Sequence, residues 1–139
     1  DERHAGRRAA AEAIRKFEVV LKAGKQLLIF PEGTRTPDGE VKEFKNGGFY
    51  AAVRAGRPIV PVAIEGTYYL MRKHASDSGE TARSRRVLVA IGEPVWPKRE
   101  GKERDRVDDL RDRSHAAGAR MHRELKGELD TGFMADAAS

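Results

Sequence analysis

Apolar positions recur at steps of three and four through the first stretch of the chain, where Ala10, Ile14, Phe17 and Leu21 share one side and Ala13 and Val20 widen it. That period predicts an amphipathic helix from Ala5 to Ala23, stopped by Gly24. The pattern then changes. Gln26 to Phe30 is a short apolar run closed by Pro31, the signature of a buried strand. Helical spacing returns between Gly48 and Ala55, with Phe49, Ala52 and Val53 on the apolar side, Gly56 as the stop and Pro58 beyond it. A second strand is expected from Ile59, with Val60, Val62 and Ile64 in the core. Pro61 lies inside it and cannot donate a ladder hydrogen bond, which demands a bulge or an edge position.

The stretch from His74 to Arg86 is polar, serine-containing and aperiodic, so it reads as an exposed loop, and Val87 to Ile91 reads as a third strand. Pro94 and Pro97 rule out regular helix between Gly92 and Arg104. Val107, Leu110, Ala117, Met121 and Leu125 then align on one face of a last helix, weakened slightly by Gly118, with Arg and Asp opposite. Helices alternating with short apolar strands predict an α/β fold, a partial αβα sandwich with a mainly parallel sheet. Three strands make that sheet incomplete.

Composition narrows the picture modestly. Hydrophobic residues at 39% supply a modest core in 139 residues, and charged residues at 35% leave the rest solvated, so the chain is expected to be soluble by itself. The balance of 27 Lys plus Arg against 22 Asp plus Glu, a net charge of +5, favours anionic partners without choosing among phospholipid, coenzyme and nucleic acid. Aromatic residues do not interleave with the basic ones, so specific nucleic-acid binding is not expected. The absence of cysteine excludes disulfides, thiolate metal sites and a cysteine-borne acyl intermediate. The longest apolar runs, Leu27 to Pro31 and Ile59 to Ile64, fall far short of the roughly 20 residues that span a bilayer, and the first twenty residues lack the apolar core of a signal peptide.

Candidate chemistry concentrates in three blocks. The first, FPEGTRT from Phe30 to Thr36, hangs on the end of the first apolar run. There Arg35 can grip phosphate oxygens through two parallel charge-assisted hydrogen bonds, and Gly33 lets a ligand approach the main chain. Thr36, Pro37, Asp38 and Gly39 carry turn chemistry, which folds the loop back and sets Lys42 and Lys45 near the first block. The second block is FKNGG, from Phe44 to Gly48, and the third VPVAIEGT, from Val60 to Thr67. A blander account exists for each residue. Glu32 and Arg35 can form a surface ion pair of little worth, Lys45 can be a solvated loop lysine, and Gly47 and Gly48 can be a hinge rather than a source of anion-binding amides.

Taken in this order, the three blocks resemble the acyltransferase family that acylates glycerol 3-phosphate and lysophosphatidic acid. The resemblance runs roughly from Ala13 to Val95 and is most diagnostic between Phe30 and Thr67, with Thr36 standing where Ser is common. It implies a glycerol-3-phosphate acyltransferase-like fold, with residues 1–126 the C-terminal part of a single acyltransferase domain and 127–139 a flexible tail. It also implies that Arg35, supported by Lys45, holds the acceptor phosphate, that Glu32 and Thr34 position the glycerol portion or brace Arg35, that Gly33 gives close backbone approach, and that Pro61 shapes a wall beside the site.

The reaction implied is fatty acyl transfer from acyl-CoA or acyl carrier protein, as co-substrate without a further cofactor, to a hydroxyl of a phosphorylated glycerol. Peripheral contact with the cytoplasmic face of a membrane is implied for the family. One part is missing. The family's general base is a His followed by an Asp five positions later, whereas His4, His74, His115 and His122 are followed at that distance by Ala9, Gly79, Arg120 and Gly127. All four histidines are expected to be solvated, no metal site is expected, and no catalytic residue is assigned. A basic non-catalytic module for anionic membrane or nucleic acid is the competing expectation, and a scaffold that kept the fold without catalysis a third.

Overall fold

A computed structural model describes residues 2–32, 44–66 and 86–138, with side chains up to residue 130. Its elements are α1 (Glu2–Lys22), α2 (Gly47–Ala55), β1 (Val62–Glu65), β2 (Leu88–Ile91) and α3 (Glu103–Ala138). The chain divides into two compact units, Asp1–Val60 with Pro94–His115, and Pro61–Glu93 with Ala116–Ser139. Helix α3 continues past residue 126, through the stretch read as a tail, to Ala138.

In the first unit α1 packs on α2. Ala13, Ile14, Phe17, Val20 and Leu21 are half-buried, so the expected stripe faces inward, while Ala10 lies exposed at its margin. Both helices stop where their glycines require. Gly56 takes the left-handed conformation at φ 65°, with Gly56 N–H donating to the Val53 carbonyl at 3.2 Å and Arg57 N–H to that of Ala52 at 3.0 Å. Gly24 closes α1 in the same way through the Leu21 and Val20 carbonyls.

The core of this unit is Phe49, Ala52 and Val53 of α2 against Val107 and Leu110 of α3, with Phe44, Tyr50, Ile59 and Val95 packed around it. Charged ties flank that contact. Arg54 Nη2 meets Glu103 at 2.9 Å, and Arg113 Nη2 donates to the Trp96 carbonyl at 2.7 Å. The hydrogen bond from Arg113 also holds the Asp109 carboxyl below its usual range, with Lys98 adding to the effect.

In the second unit β1 and β2 pair antiparallel, with Val62 opposite Ile91 and Glu65 opposite Leu88. The expected mainly parallel sheet is therefore corrected. A parallel pair needs a crossover, usually a helix, and the polar, aperiodic stretch between these strands carries no helical pattern; an antiparallel pair needs none. Pro61 explains where β1 starts: its carbonyl accepts from Gly92 N–H at 2.9 Å, continuing the register by one pair, but the proline has no N–H to return. The expected first strand, Gln26 to Phe30, has no ladder partner among the described residues. It keeps only a two-residue alternation, with Leu27 and Ile29 half-buried and Leu28 and Phe30 exposed.

Among the described residues, one face of the hairpin is covered and the other is not. Ala63 packs with Met121 and Leu125 of α3, and Leu88 and Ala90 lie against them. Val62, Ile64, Val89 and Ile91 point to the opposite face, exposed by 44% to 75%. Val60, Val62 and Ile64, expected as core, are thus corrected: strand geometry sends alternate residues to opposite faces, and α3 covers the face that holds Ala63 and Glu65.

These placements set unequal costs for similar truncations. Leu110→Ala, at a fully buried position, should lower unfolding free energy by about 2 to 5 kcal/mol. Ile91→Ala, on the uncovered face, should change it by less than about 1 kcal/mol. Urea-denaturation midpoints of the two variants measure the contrast, and equal losses would contradict the core drawn above.

Candidate functional site

The FPEG and FKNGG blocks meet through the main chain. Lys45 N–H donates to the Pro31 carbonyl at 2.7 Å. Glu32, half-buried, lies next to the acceptor of that bond, and the Lys45 side chain is exposed next to its donor. The expectation that Lys45 approaches the first block is met at the level of backbone. Gly33, Thr34 and Arg35 lie outside the described residues, as do Lys42 and the Thr36 to Gly39 turn.

The glycines that open α2 have a packing use. A Cβ added at Gly48 would overlap Ile29 Cδ1, and one at Gly47 would stand 3.9 Å from Ile14 Cγ1. The absence of a side chain at Gly48 lets α2 approach the segment that leads into FPEG, whereas a Cβ at Gly47 would make only an ordinary contact with α1. Asn46 precedes the helix, and its carbonyl accepts from the Phe49 and Tyr50 N–H groups, each at 3.0 Å. Its side chain does not cap α2. Instead Asn46 Oδ1 accepts from Arg111 Nη1 at 2.8 Å, a partly buried bond to α3. Phe44 stacks on Phe49 with ring centroids 6.1 Å apart and meets His115 edge-on at 4.7 Å.

His115 is therefore half-buried against an aromatic ring rather than solvated. The expectation for His122 is corrected more strongly. Its side chain is 14% exposed, and Nε2 stands 2.5 Å from Glu65 Oε2, whose side chain is 10% exposed. Glu65 belongs to the VPVAIEGT block and turns with Ala63 to the covered face of the hairpin. Sequence reading missed the pair because a carboxylate in a strand and an imidazole 57 positions later share no local period. The available signal was the place of His122 next to Met121 on the apolar face of the last helix.

Comparison with known proteins agrees with the blocks. Residues 2–65 match the Acyltransferase family model. Among curated proteins, the 1-acyl-sn-glycerol-3-phosphate acyltransferase of Haemophilus influenzae is 33% identical over 104 residues, 75% of this chain and 40% of that protein. The protein of the same name from Pseudomonas aeruginosa is 44% identical over 55 residues, 40% of this chain and 21% of that protein. Among solved structures, the 1-acyl-sn-glycerophosphate (LPA) acyltransferase PlsC of Thermotoga maritima is similar at a TM-score of 0.61 and 38% identity, covering 86% of this chain and 44% of that one. The mixed α/β fold is thus shared with PlsC, and the chain spans less than half the length of each of these relatives.

Removing the imidazole tests the pair directly. His122→Leu should cost about 1 to 3 kcal/mol, because it leaves the Glu65 carboxylate buried without its partner. Adding Glu65→Leu should restore much of that loss, since two apolar side chains leave no buried charge behind. A thermal-denaturation series of the two single variants and the double reads both effects, and an additive double would show that the residues do not interact.

Proposed function

We propose, from the match of residues 2–65 to the Acyltransferase family model, that this chain is the acceptor-phosphate-binding part of a lysophosphatidic acid acyltransferase. The whole reaction transfers a fatty acyl group from acyl-CoA or acyl carrier protein to the free hydroxyl of 1-acylglycerol 3-phosphate. The hydroxyl oxygen bonds to the thioester carbonyl carbon, the carbon–sulfur bond breaks, the thiol leaves, and a base takes the hydroxyl proton. Arg35 grips the phosphate bidentately with Lys45 in support. Glu32 and Thr34 orient the glycerol or brace Arg35, and Gly33 leaves room for close approach. Peripheral membrane contact, at the cytoplasmic face, belongs to the same proposal.

The observation that carries this reading is the 2.7 Å bond from Lys45 N–H to the Pro31 carbonyl. It supports the reading because it seats the lysine-bearing block at the foot of the arginine-bearing one, as joint binding of one phosphate requires. The base is the missing part. No histidine in the sequence has an Asp five positions on. His122 Nε2 is engaged by Glu65, and the His115 ring lies against Phe44. The chain by itself accordingly binds acceptor without turning it over.

Titration with glycerol 3-phosphate, followed by amide shifts, should perturb Gly33, Thr34, Arg35 and Lys45. Arg35→Ala should weaken binding by about tenfold or more, as expected for losing charge-assisted hydrogen bonds, while leaving adsorption to anionic vesicles nearly unchanged. An assay with acyl-CoA and lysophosphatidic acid should give no turnover. Robust turnover would refute the inactivity. Salt-dependent vesicle or DNA binding without the amide response would replace this function by that of a basic module.

A further inference from the structure

Helix α3 lies outside the stretch that matches the family, residues 2–65, yet two of its side chains reach the FKNGG block. Arg111 Nη1 donates to Asn46 Oδ1 at 2.8 Å across 65 positions of sequence. His115 sets its ring edge-on to Phe44, with centroids 4.7 Å and planes 70° apart. Arg111 is itself braced, by Asp108 at 3.2 Å and Asp112 at 3.0 Å, so its guanidinium is held at a defined angle.

Asn46 makes this contact with a side chain that does not cap its own helix. Asparagine is among the strongest N-cap residues because its side-chain oxygen can accept from the first helical N–H groups. Here that bond is not made, and the oxygen serves Arg111 instead. The backbone of Asn46 is already helical, at φ −81° and ψ −19°, which is not the geometry of a capping side chain and leaves the amide available for the long-range tie. Lys45 sits between the two tied residues, and its own N–H is held by Pro31. Three consecutive residues are thus fixed, Phe44 through its ring, Lys45 through its backbone and Asn46 through its amide, while the Lys45 side chain stays exposed.

We propose that Arg111 and His115 are positioning residues for acceptor binding: they fix residues 44–46 so that the Lys45 ammonium is presented to the phosphate on an ordered backbone. Order present before the ligand arrives is not lost on binding, and affinity gains by that amount. This inference rests on the reading of Lys45 as a phosphate ligand. It adds residues that no local motif joins to the site.

The test is a set of glycerol 3-phosphate titrations on the full chain. Lys45→Ala should raise Kd about tenfold, in the range of a lost charge-assisted contact. Arg111→Gln should raise it about threefold or more in the Lys45 background and leave it unchanged on top of Lys45→Ala, the coupling expected when one residue acts through another. Asn46→Ala should reproduce the effect of Arg111→Gln with α3 intact, which guards against a folding defect in the arginine variant. Arg111→Lys, which keeps a charged donor, should recover part of the affinity.

Equal losses for Arg111→Gln with and without Lys45 would overturn the proposal and leave a merely structural role. No loss in either background would also overturn it. If Lys45→Ala is silent while Arg35→Ala abolishes binding, the inference fails and the acceptor-site reading survives on Arg35. If wild type does not bind, both fall together.

Discussion

A single main-chain hydrogen bond, Lys45 N–H to the Pro31 carbonyl, joins the two blocks that carry the candidate chemistry. Being a backbone bond, it is independent of the side chains on either block, and it satisfies groups that are costly to bury unpaired. Its consequence is geometric. The bond sets Glu32, which follows the acceptor residue, close to Lys45, which holds the donor. The contact of Gly48 with Ile29 reinforces the same junction, since a side chain there would force α2 away from the segment that enters FPEG.

Around that junction the molecule repeatedly prefers a distant partner to a near one. The Asn46 side chain bonds Arg111 and does not cap its own helix, and the His115 ring lies against Phe44. Within the second unit, Glu65 takes an inward strand position that would suit an apolar residue and is matched there by His122. Buried or partly buried polar pairs of this kind add little net stability compared with apolar packing, but they penalise any arrangement in which the partners are apart. They act as registration marks. One ties Asn46, at the start of α2, to α3, and the other ties the hairpin to the later turns of that helix.

Similarity to the Thermotoga maritima acyltransferase PlsC and the hairpin seen here are compatible once coverage is considered, because this chain corresponds to 44% of that protein. The apolar outer face of the hairpin, formed by Val62, Ile64, Val89 and Ile91, has the composition of a core face without a cover among the described residues. The run from Gln26 to Phe30 tells the same story. It alternates as a strand does, yet pairing needs a neighbour as well as a pattern.

The helices were legible from sequence because their information is local. Ile14, Phe17 and Leu21, and likewise Val107, Leu110, Met121 and Leu125, repeat at the helical period, and Gly24 and Gly56 mark stops by a property of their own backbone. The block order that points to an acyltransferase was legible for the same reason. Strand direction, the choice of buried face in the hairpin, the Glu65–His122 pair and the Arg111–Asn46 tie were not, since each depends on which residues meet after the chain has folded. Local pattern can specify that a strand has two faces, but only the element packed against it decides which face is dry. The sequence by itself determined the course of the helices and the stops at Gly24 and Gly56; tertiary structure alone decided which distant side chains would hold the FKNGG block in place, because contact between residues far apart in the chain leaves no periodic trace along it.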